Sequence, residues 1–442
     1  MDGKKSAAAV FIDLPKAFDT VDHVVLLKKC NSLGMRRIPL KWLRSYLSNR
    51  QQYVFVNNTS STVKSITSGV PQGSILGPFL FSLYINDLDE LNLQGNLHLY
   101  ADDICLIYMG ESREEIAQKM QFDLDALHVY MSAHRLSINI KKTKLMVFTS
   151  TGPFTRGGTD ISVTIAGSKI EQVQAFKYLG LELGHHLNWK AHIDSIMRKI
   201  NPVIRVLFRL RNTMPKTICM NIYYALVHSH LHSLSNIWGA AANISLKNLV
   251  ILQKRALKIL LGLPGLTPSI DVYKISHVFS VGQIIYYNRC LYVFKITNDL
   301  LKTNVPIPSL AGQTHNYRTR SVNNYYLESV SSNRQGLNAH FRASFRLFNQ
   351  LPNQLKSCRS LFSFKRKLQD RCVETIVGKN TENLILNEIY SKFKILKVQT
   401  LLDFKDILKH HHKSHFRVIS PTHSLCTSSL KCIGRSNFFK LS

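Results

Sequence analysis

The chain has 442 residues and a formal net charge of +30 at pH 7, from 57 Lys plus Arg against 27 Asp plus Glu. This length and 45% hydrophobic content predict two or three domains with real cores. The charge favours a polyanionic partner, either a nucleic acid or an acidic membrane surface. Polar residues at the start, no long apolar run and eight scattered cysteines without a Cys-x-x-Cys pair exclude a membrane-spanning or disulfide-stabilised secreted protein. They predict an intracellular location, in the cytoplasm or the nucleus.

The first predicted element is a short buried strand that ends in an acid. Residues 7–12 are apolar, Asp13 follows them, and an amphipathic helix pattern continues to Leu27. Burying an unpaired carboxylate at the end of a core strand is unfavourable. Asp13 is therefore a candidate ligand for a metal ion.

A loop rich in glycine and proline comes next. Residues 68–78 read SGVPQGSILGP and open an apolar helix that runs to Ile85. Glycines in such a loop let the backbone approach a ligand closely. Taken alone, the same string also fits an ordinary loop and helix start.

Two adjacent acids lie at the bend of a predicted hairpin. Tyr100, Ala101, Asp102 and Asp103 separate two apolar runs, which predicts strand, tight turn, strand. A lone acidic turn is usually only a solvated loop. Together with Asp13, however, these acids form a set of three carboxylates, the hard oxygen ligands that suit Mg²⁺.

From Ser112 onward, the predicted elements change from a mixture of helices and strands to helices alone. A capping box that begins at Ser112 predicts a helix whose stripe of Ile, Met and Leu faces the core. Residues 136–148 and 176–180 follow as further strand-like segments. From about residue 189 to 300 the pattern is helical, with an apolar stripe flanked by arginines.

These segments, in this order, resemble the palm of reverse transcriptases. The resemblance rests on strand-Asp13 with KAFDTVDH, SGVPQGSILGP, YADD, the Asn and Lys-Thr of residues 136–148, and FKYLG at residues 176–180. The motif sequences are most similar to those of reverse transcriptases from non-LTR (LINE-like) retrotransposons of the Jockey or CR1 kind. It covers about residues 7–190, and a weaker likeness continues to about residue 370.

The resemblance implies an α+β fold. We expect a palm, an antiparallel sheet with helices packed on one face, over residues 1–185 with residual fingers. A helical thumb or connection would follow over residues 186–300, then a basic helical region over residues 301–375 and a poorly ordered basic tail over residues 376–442.

The resemblance also implies an RNA-directed DNA polymerase that uses two Mg²⁺ ions, which Mn²⁺ can replace, and that takes an RNA template, a DNA primer and dNTPs. Asp13 and Asp102 would be the bridging ligands and Asp103 a more peripheral third acid. The residues implied at the nucleotide are Leu14, Phe18, Gln72, Gly73 and Lys142, with Lys144 as the alternative lysine. Those implied at the primer and template are Tyr178, Leu179, Gly180, Arg198, Arg205 and Arg209.

Two departures bear on activity. Pro15 stands where the family usually has a small polar residue, and proline removes a backbone N–H. Only twelve residues precede Asp13, so the fingers and the endonuclease of such elements are expected to be missing and the chain to be N-terminally truncated. The alternative function is then a non-catalytic nucleic-acid-binding remnant.

Overall fold

The computed structural model describes residues 6–148, 160–303, 306–314, 324–327 and 339–377. Its strands are β1 Ser6–Ile12, β2 Arg50–Gln52, β3 Phe55–Val56, β4 Thr59–Ser60, β5 Lys64–Ile66, β6 Asn96–Tyr100, β7 Asp103–Gly110, β8 Lys144–Phe148, β9 Thr164–Ile165, β10 Ser168–Lys169, β11 Glu171–Gln172, β12 Ala175–Tyr178 and β13 Leu181–Gly184.

The helices that precede the β12–β13 hairpin are α1 His23–Ser32, α2 Ile38–Leu47, α3 Leu76–Tyr84 and α4 Arg113–Ala133, with a 3₁₀ turn at Asn86–Glu90. Those that follow are α5 Lys190–Leu210, α6 Lys216–Tyr223, α7 Ser229–His232, α8 Ser235–Trp238, α9 Asn243–Leu261, α10 Ser269–Ser276, α11 Val281–Thr297, α12 Ala311–Thr314, α13 Ala339–Asn349, α14 Asn353–Lys356 and α15 Leu361–Val377, with a π-helical turn at Tyr224–His228.

A five-stranded sheet forms the centre of residues 6–183, in the order β11-β8-β1-β7-β6. Strand β1 is antiparallel to both β7 and β8, and β6 and β7 form a hairpin. The edge strand β11 runs parallel to β8, so the sheet is mixed rather than wholly antiparallel. Parallel neighbours cannot be joined by a tight hairpin turn, and β8 and β11 are accordingly far apart in the chain.

The central strand is buried on both faces because its side chains alternate. Val10 and Ile12 face one hydrophobic cluster, which includes core residues of α1, α3 and α4. Ala9 and Phe11 face the other cluster, where Tyr178 and neighbouring residues of the β12–β13 hairpin lie. Helices therefore cover one face of the sheet, and a hairpin covers the other.

The hairpin face leads directly into the helical part of the chain. Ile193 of α5, Trp238 of α8 and Phe294 of α11 belong to the same hydrophobic cluster as the hairpin. Phe294 stacks on Phe364 of α15 with ring centroids 4.0 Å apart. Described residues of the helical segments on both sides of residue 300 thus share one core with the hairpin face of the sheet.

The expectation of a mixed helix and sheet fold is confirmed, whereas palm and thumb as labels for its parts stay predictions. The helix predicted from the capping pattern is present, since Ser112 caps α4 by accepting a hydrogen bond from the Glu115 N–H. The carboxylate of Glu115 bonds the Glu111 N–H instead of closing the box on Ser112. The tail predicted over residues 376–442 falls, apart from its first two residues, outside the described ranges.

The glycine-rich loop packs closely on the segment after Asp13. The Gly69 N–H donates to the Val21 carbonyl at 2.7 Å, and the Val70 N–H donates to the Phe18 carbonyl at 2.8 Å. Gly69 has a φ of +89°, and a Cβ there would lie 2.7 Å from the Asp19 carbonyl oxygen. Gly73 has a φ of +77°, but a Cβ there would meet nothing within 4 Å.

These two glycines form a matched pair of variants. Gly69→Ala is expected to lower the free energy of unfolding by about 2–4 kcal/mol, because it adds a backbone clash to a strained φ. Gly73→Ala is expected to cost only about 1 kcal/mol, since it adds the strain alone. Urea denaturation followed by circular dichroism measures both. Equal losses for the two variants would contradict the close packing of the loop on residues 18–21.

Candidate active site

The pairing of β1 with β7 brings the acids of distant segments together. Ile12, the last residue of β1, lies directly opposite Ile104. Asp13 follows Ile12 and Asp103 precedes Ile104, so the two acids are neighbours at the same end of the ladder. Neighbouring strands lie about 4.8 Å apart. Two acids 90 residues apart in the chain are therefore adjacent in the fold.

The β6–β7 hairpin adds the third acid. Tyr100 pairs with Asp103, which leaves Ala101 and Asp102 as a two-residue loop. Ala101 takes a φ of +50°, the left-handed region that tight hairpin turns use. The predicted strand, turn and strand are thus present, and Asp102 lies at the tip beside Asp103.

Asp13 and Asp103 lie on the face of the sheet that the β12–β13 hairpin covers. Phe11 and Cys105 face that side, and alternation places residues two further along on the same side. Tyr178 is buried there, with its ring centroid 5.1 Å from that of Phe11. Leu179 and Gly180 form the tip of this hairpin, both with positive φ. The predicted primer-binding segment and the acids therefore share one face of the sheet.

The electrostatics show a shortage of positive charge at the acids. Burial, followed by repulsion from Asp102 and Asp13, raises the pKa of Asp103 to about 6. The Oδ2 atom of Asp13 is buried and makes no hydrogen bond within the described part of the chain. Its salt-bridge partner is the Nζ atom of Lys142, 3.9 Å away. Like charges held this close favour a bound proton or cation.

The backbone of Asp13 is held by the turn that precedes β8. Its N–H donates to the Thr143 hydroxyl at 3.4 Å, and its carbonyl accepts from the Asn139 N–H at 2.9 Å. Thr143 is fully buried. The sequence pattern contains Asn139 and Thr143 but does not indicate that they hold Asp13. The local signal was only an Asn and a Thr four residues apart before a strand.

The two candidate lysines differ in what they contact. Lys142 is 71% exposed and reaches toward Asp13. Lys144 is 18% exposed and is committed to the Glu171 carboxylate at 2.6 Å and to the Lys141 carbonyl. The structure therefore brings Lys142, and not Lys144, to the acids.

Residues expected at the nucleotide lie on the segments that flank the acids. Phe18 is half-buried, with its ring centroid 4.8 Å from that of Phe81 in α3. Gln72 is exposed and donates from Nε2 to the Asp19 carboxylate at 2.8 Å, a contact the sequence did not predict. Gly73 is exposed next to it, whereas the side chain of Leu14 is buried. Leu14 can thus offer only its backbone to a ligand.

The three arginines predicted to contact the template and primer lie on one helix. Arg198, Arg205 and Arg209 are all exposed on α5, within about 40° of one another around its axis. The buried Ile and Leu residues of α5 occupy the opposite side. A straight basic edge of this kind suits phosphates and reads no base sequence.

The donor set fits divalent cations, although the side chains are not yet arranged around one. Within the described ranges, no three His, Cys, Asp or Glu side chains already form a metal centre. Three converging carboxylates are nevertheless the ligands that Mg²⁺ and Mn²⁺ prefer, and the unbonded Oδ2 of Asp13 is available for one. Ion binding would require the three side chains to turn toward a common point.

Comparison with known proteins assigns this site to a family. Residues 1–183 match the model of the family described as reverse transcriptase (RNA-dependent DNA polymerase). Residues 1–183 belong to the reverse transcriptase family. The acids, the glycine-rich loop and the hairpin that ends in Gly180 all lie within this reverse transcriptase domain.

Relatives of the domain are polymerases of non-LTR retrotransposons. The RNA-directed DNA polymerase from mobile element jockey of Drosophila melanogaster is 29% identical over 64% of this chain and 31% of its own length. That of Drosophila funebris is 30% identical over 62% of this chain and 30% of its own length. The chain thus spans about a third of the length of these relatives.

The fold was also compared with solved structures. Telomerase from Candida tropicalis, in a complex with a fragment of telomeric RNA, matches with a TM-score of 0.31 and 9% identity, over 62% of this chain and 49% of that chain.

No helix in the described ranges is both long and apolar enough to cross a membrane.

Because the pKa of Asp103 is raised, the effect of Asp103→Asn on stability should depend on pH. The ordinary pKa of 3.8 lies below the folded-state value of about 6, so the folded state binds the proton more tightly. The contribution of Asp103 to stability is then fully present below about pH 4 and is lost as the pH rises through about 6. Asp103→Asn removes the charge, so it should raise the melting temperature at pH 8 but not at pH 4.

Thermal unfolding in the presence of a chelator measures this effect, with the exposed Asp89→Asn as the control. Part of Asp103 faces solvent, so water screens the repulsion and the expected stabilisation at pH 8 is small. A larger stabilisation at pH 4 than at pH 8 would contradict the crowding of the three carboxylates.

Proposed function

We propose that this chain carries the polymerase centre of a non-LTR retrotransposon and extends a DNA primer on an RNA template. The observation that carries the proposal is the convergence of Asp13, Asp102 and Asp103 at one end of the β1–β7 ladder. The family of residues 1–183 and the net charge of +30 support it.

The acids would hold the reacting groups in place. Asp13 and Asp102 would be the bridging carboxylates and Asp103 the peripheral third. Two bound Mg²⁺ or Mn²⁺ ions would supply charge neutralisation for the primer 3′-oxygen and for the departing pyrophosphate. Thr143 and Asn139 would fix the backbone of Asp13, so that its carboxylate is oriented before substrate binds.

The neighbouring residues would select and position the nucleotide. The backbone at Leu14 would lie along the triphosphate, with Gln72 and Gly73 beside it. The ring of Phe18, supported by Phe81, would lie under the sugar and exclude a 2′-hydroxyl. Lys142 would neutralise or protonate the departing pyrophosphate, since Lys144 is committed to Glu171.

Template and primer would lie along the face shared by the acids and the β12–β13 hairpin. Tyr178, Leu179 and Gly180 would position the primer end. The exposed edge of Arg198, Arg205 and Arg209 would contact phosphates, an interaction that gives affinity without sequence specificity.

Primer extension on poly(rA)/oligo(dT) tests the proposal. Asp13→Asn and Asp102→Asn are each expected to lower the extension rate at least about a thousandfold, because about 4 kcal/mol of barrier stabilisation is lost. The control Asp89→Asn replaces an exposed acid outside the site and should leave the rate unchanged.

A loss below about tenfold in both site variants would rule out their assignment as ligands. Salt-sensitive RNA binding with no extension in either Mg²⁺ or Mn²⁺ would instead show a non-catalytic nucleic-acid-binding remnant.

A further inference from the structure

Helix α2 carries two stacked aromatic rings, of which Trp42 is exposed and Tyr46 is half-buried. Its residues Leu43 and Leu47 are buried, and α2 packs against α1. Trp42 and Tyr46 lie on a neighbouring side, with ring centroids 5.6 Å apart and planes only 11° from parallel. The Arg50 guanidinium lies 5.6 Å from the Tyr46 centroid. We call these three residues the α2 stack.

The outer end of the α2 stack is open to solvent. Trp42 is 57% exposed, and Ile38, one turn before it, is 80% exposed. Packing against the protein therefore does not account for the flat face that Trp42 presents. An aromatic ring of this size is usually buried or placed where a partner covers it.

The chain segment that carries the α2 stack contains basic but no acidic residues, and of its basic residues Lys29 is paired with Asp87. No Asp or Glu occurs between Asp22 and Asp87, whereas eight basic residues do: Lys28, Lys29, Arg36, Arg37, Lys41, Arg44, Arg50 and Lys64. Lys41 and Arg44 are exposed on α2 itself. A polyanion complements this surface, and an apolar or basic protein surface does not.

We infer that the α2 stack binds single-stranded RNA, with an unpaired base stacked on Trp42 and the adjoining phosphates near Lys41 and Arg44. Flat rings flanked by cations are the combination that binds unpaired bases without sequence preference. In a duplex the bases stack on one another, so no base face is free to stack on Trp42. The choice of RNA rests on the proposed function, because the template ahead of a polymerase site is unpaired RNA.

The position of α2 links this surface to the polymerase centre. α1, on which α2 packs, begins at His23, whose ring bonds the Gly69 carbonyl at 2.7 Å. Gly69 opens the glycine-rich loop that carries Gln72 and Gly73. RNA held on the α2 stack would thus be fixed to the same body as the proposed nucleotide site.

Tryptophan emission reports on this surface directly. The chain has three tryptophans, and Trp189 and Trp238 are only 2% and 0% exposed. Adding a single-stranded oligo(U) RNA should quench the emission of Trp42 and protect it from acrylamide, because a stacked base covers the ring. A duplex RNA of the same length should do neither. Unchanged emission and acrylamide quenching at saturating oligo(U) would overturn the inference.

Affinity measurements with variants complete the test. By anisotropy of a labelled oligo(U), Trp42→Ala should weaken binding about 5- to 100-fold, the loss expected for one base–aromatic stack. Phe122→Ala is the matched control, since Phe122 is also 57% exposed but lies on α4. Lys41→Gln should lower the slope of log affinity against log salt by about 0.7, one phosphate contact on a single strand.

These measurements are made in the Asp102→Asn background, so that RNA binding is scored without polymerisation. Primer extension is measured separately on the chain with Asp102 intact. No extension by that chain, with the quench retained, would sink the proposed polymerase function and leave the α2 stack standing. Equal effects of Trp42→Ala and Phe122→Ala would overturn the inference itself. Tighter binding of the corresponding single-stranded DNA would overturn the choice of RNA.

Discussion

The antiparallel pairing of β1 with β7 is the constraint on which the rest of this site depends. Its register sets Asp13 beside Asp103, and the two-residue turn before β7 adds Asp102. Burial, followed by repulsion from Asp102 and Asp13, raises the pKa of Asp103 to about 6. The fold maintains an arrangement that is unfavourable without a cation, because burial of the strands on both faces outweighs the repulsion.

The elements around the sheet hold the acids in position from several directions. The turn before β8 bonds both backbone groups of Asp13, through Thr143 and Asn139. The glycine-rich loop is fastened to residues 18–21 by backbone hydrogen bonds that only a glycine at position 69 allows. The β12–β13 hairpin covers the face to which Asp13 and Asp103 belong. A backbone held in this way loses little freedom when substrate binds.

The elements that the sequence predicted correctly depend on residues that are neighbours in the chain. An apolar run that ends in Asp13, two acids between apolar runs, and a capping residue at Ser112 each depend on neighbours in the chain, and the structure has the corresponding elements. The grouping of the three acids was a hypothesis from their residue type, and the family resemblance gave each acid a role. It also led to the family that residues 1–183 match.

What the sequence could not predict depends on partners far along the chain. Lys142 and Lys144 are equivalent in the sequence, and only the tie of Lys144 to Glu171 separates them. The parallel pairing of β11 with β8 joins segments that are distant in the chain, and no local pattern encodes it. The alignment of Trp42, Tyr46 and Arg50 also needed coordinates, because Arg50 lies beyond the end of α2 and reaches back to it.

We propose that three acids from two distant segments form one site for divalent cations. Titration of the protein with Mn²⁺, with free Mn²⁺ followed by electron paramagnetic resonance, tests this proposal without any reaction. We expect the wild-type chain to bind Mn²⁺, and Asp13→Asn and Asp102→Asn each to weaken that binding at least about tenfold. Asp89→Asn should not weaken it. Equal Mn²⁺ binding by the wild-type chain and by a variant lacking all three acids would contradict the proposal.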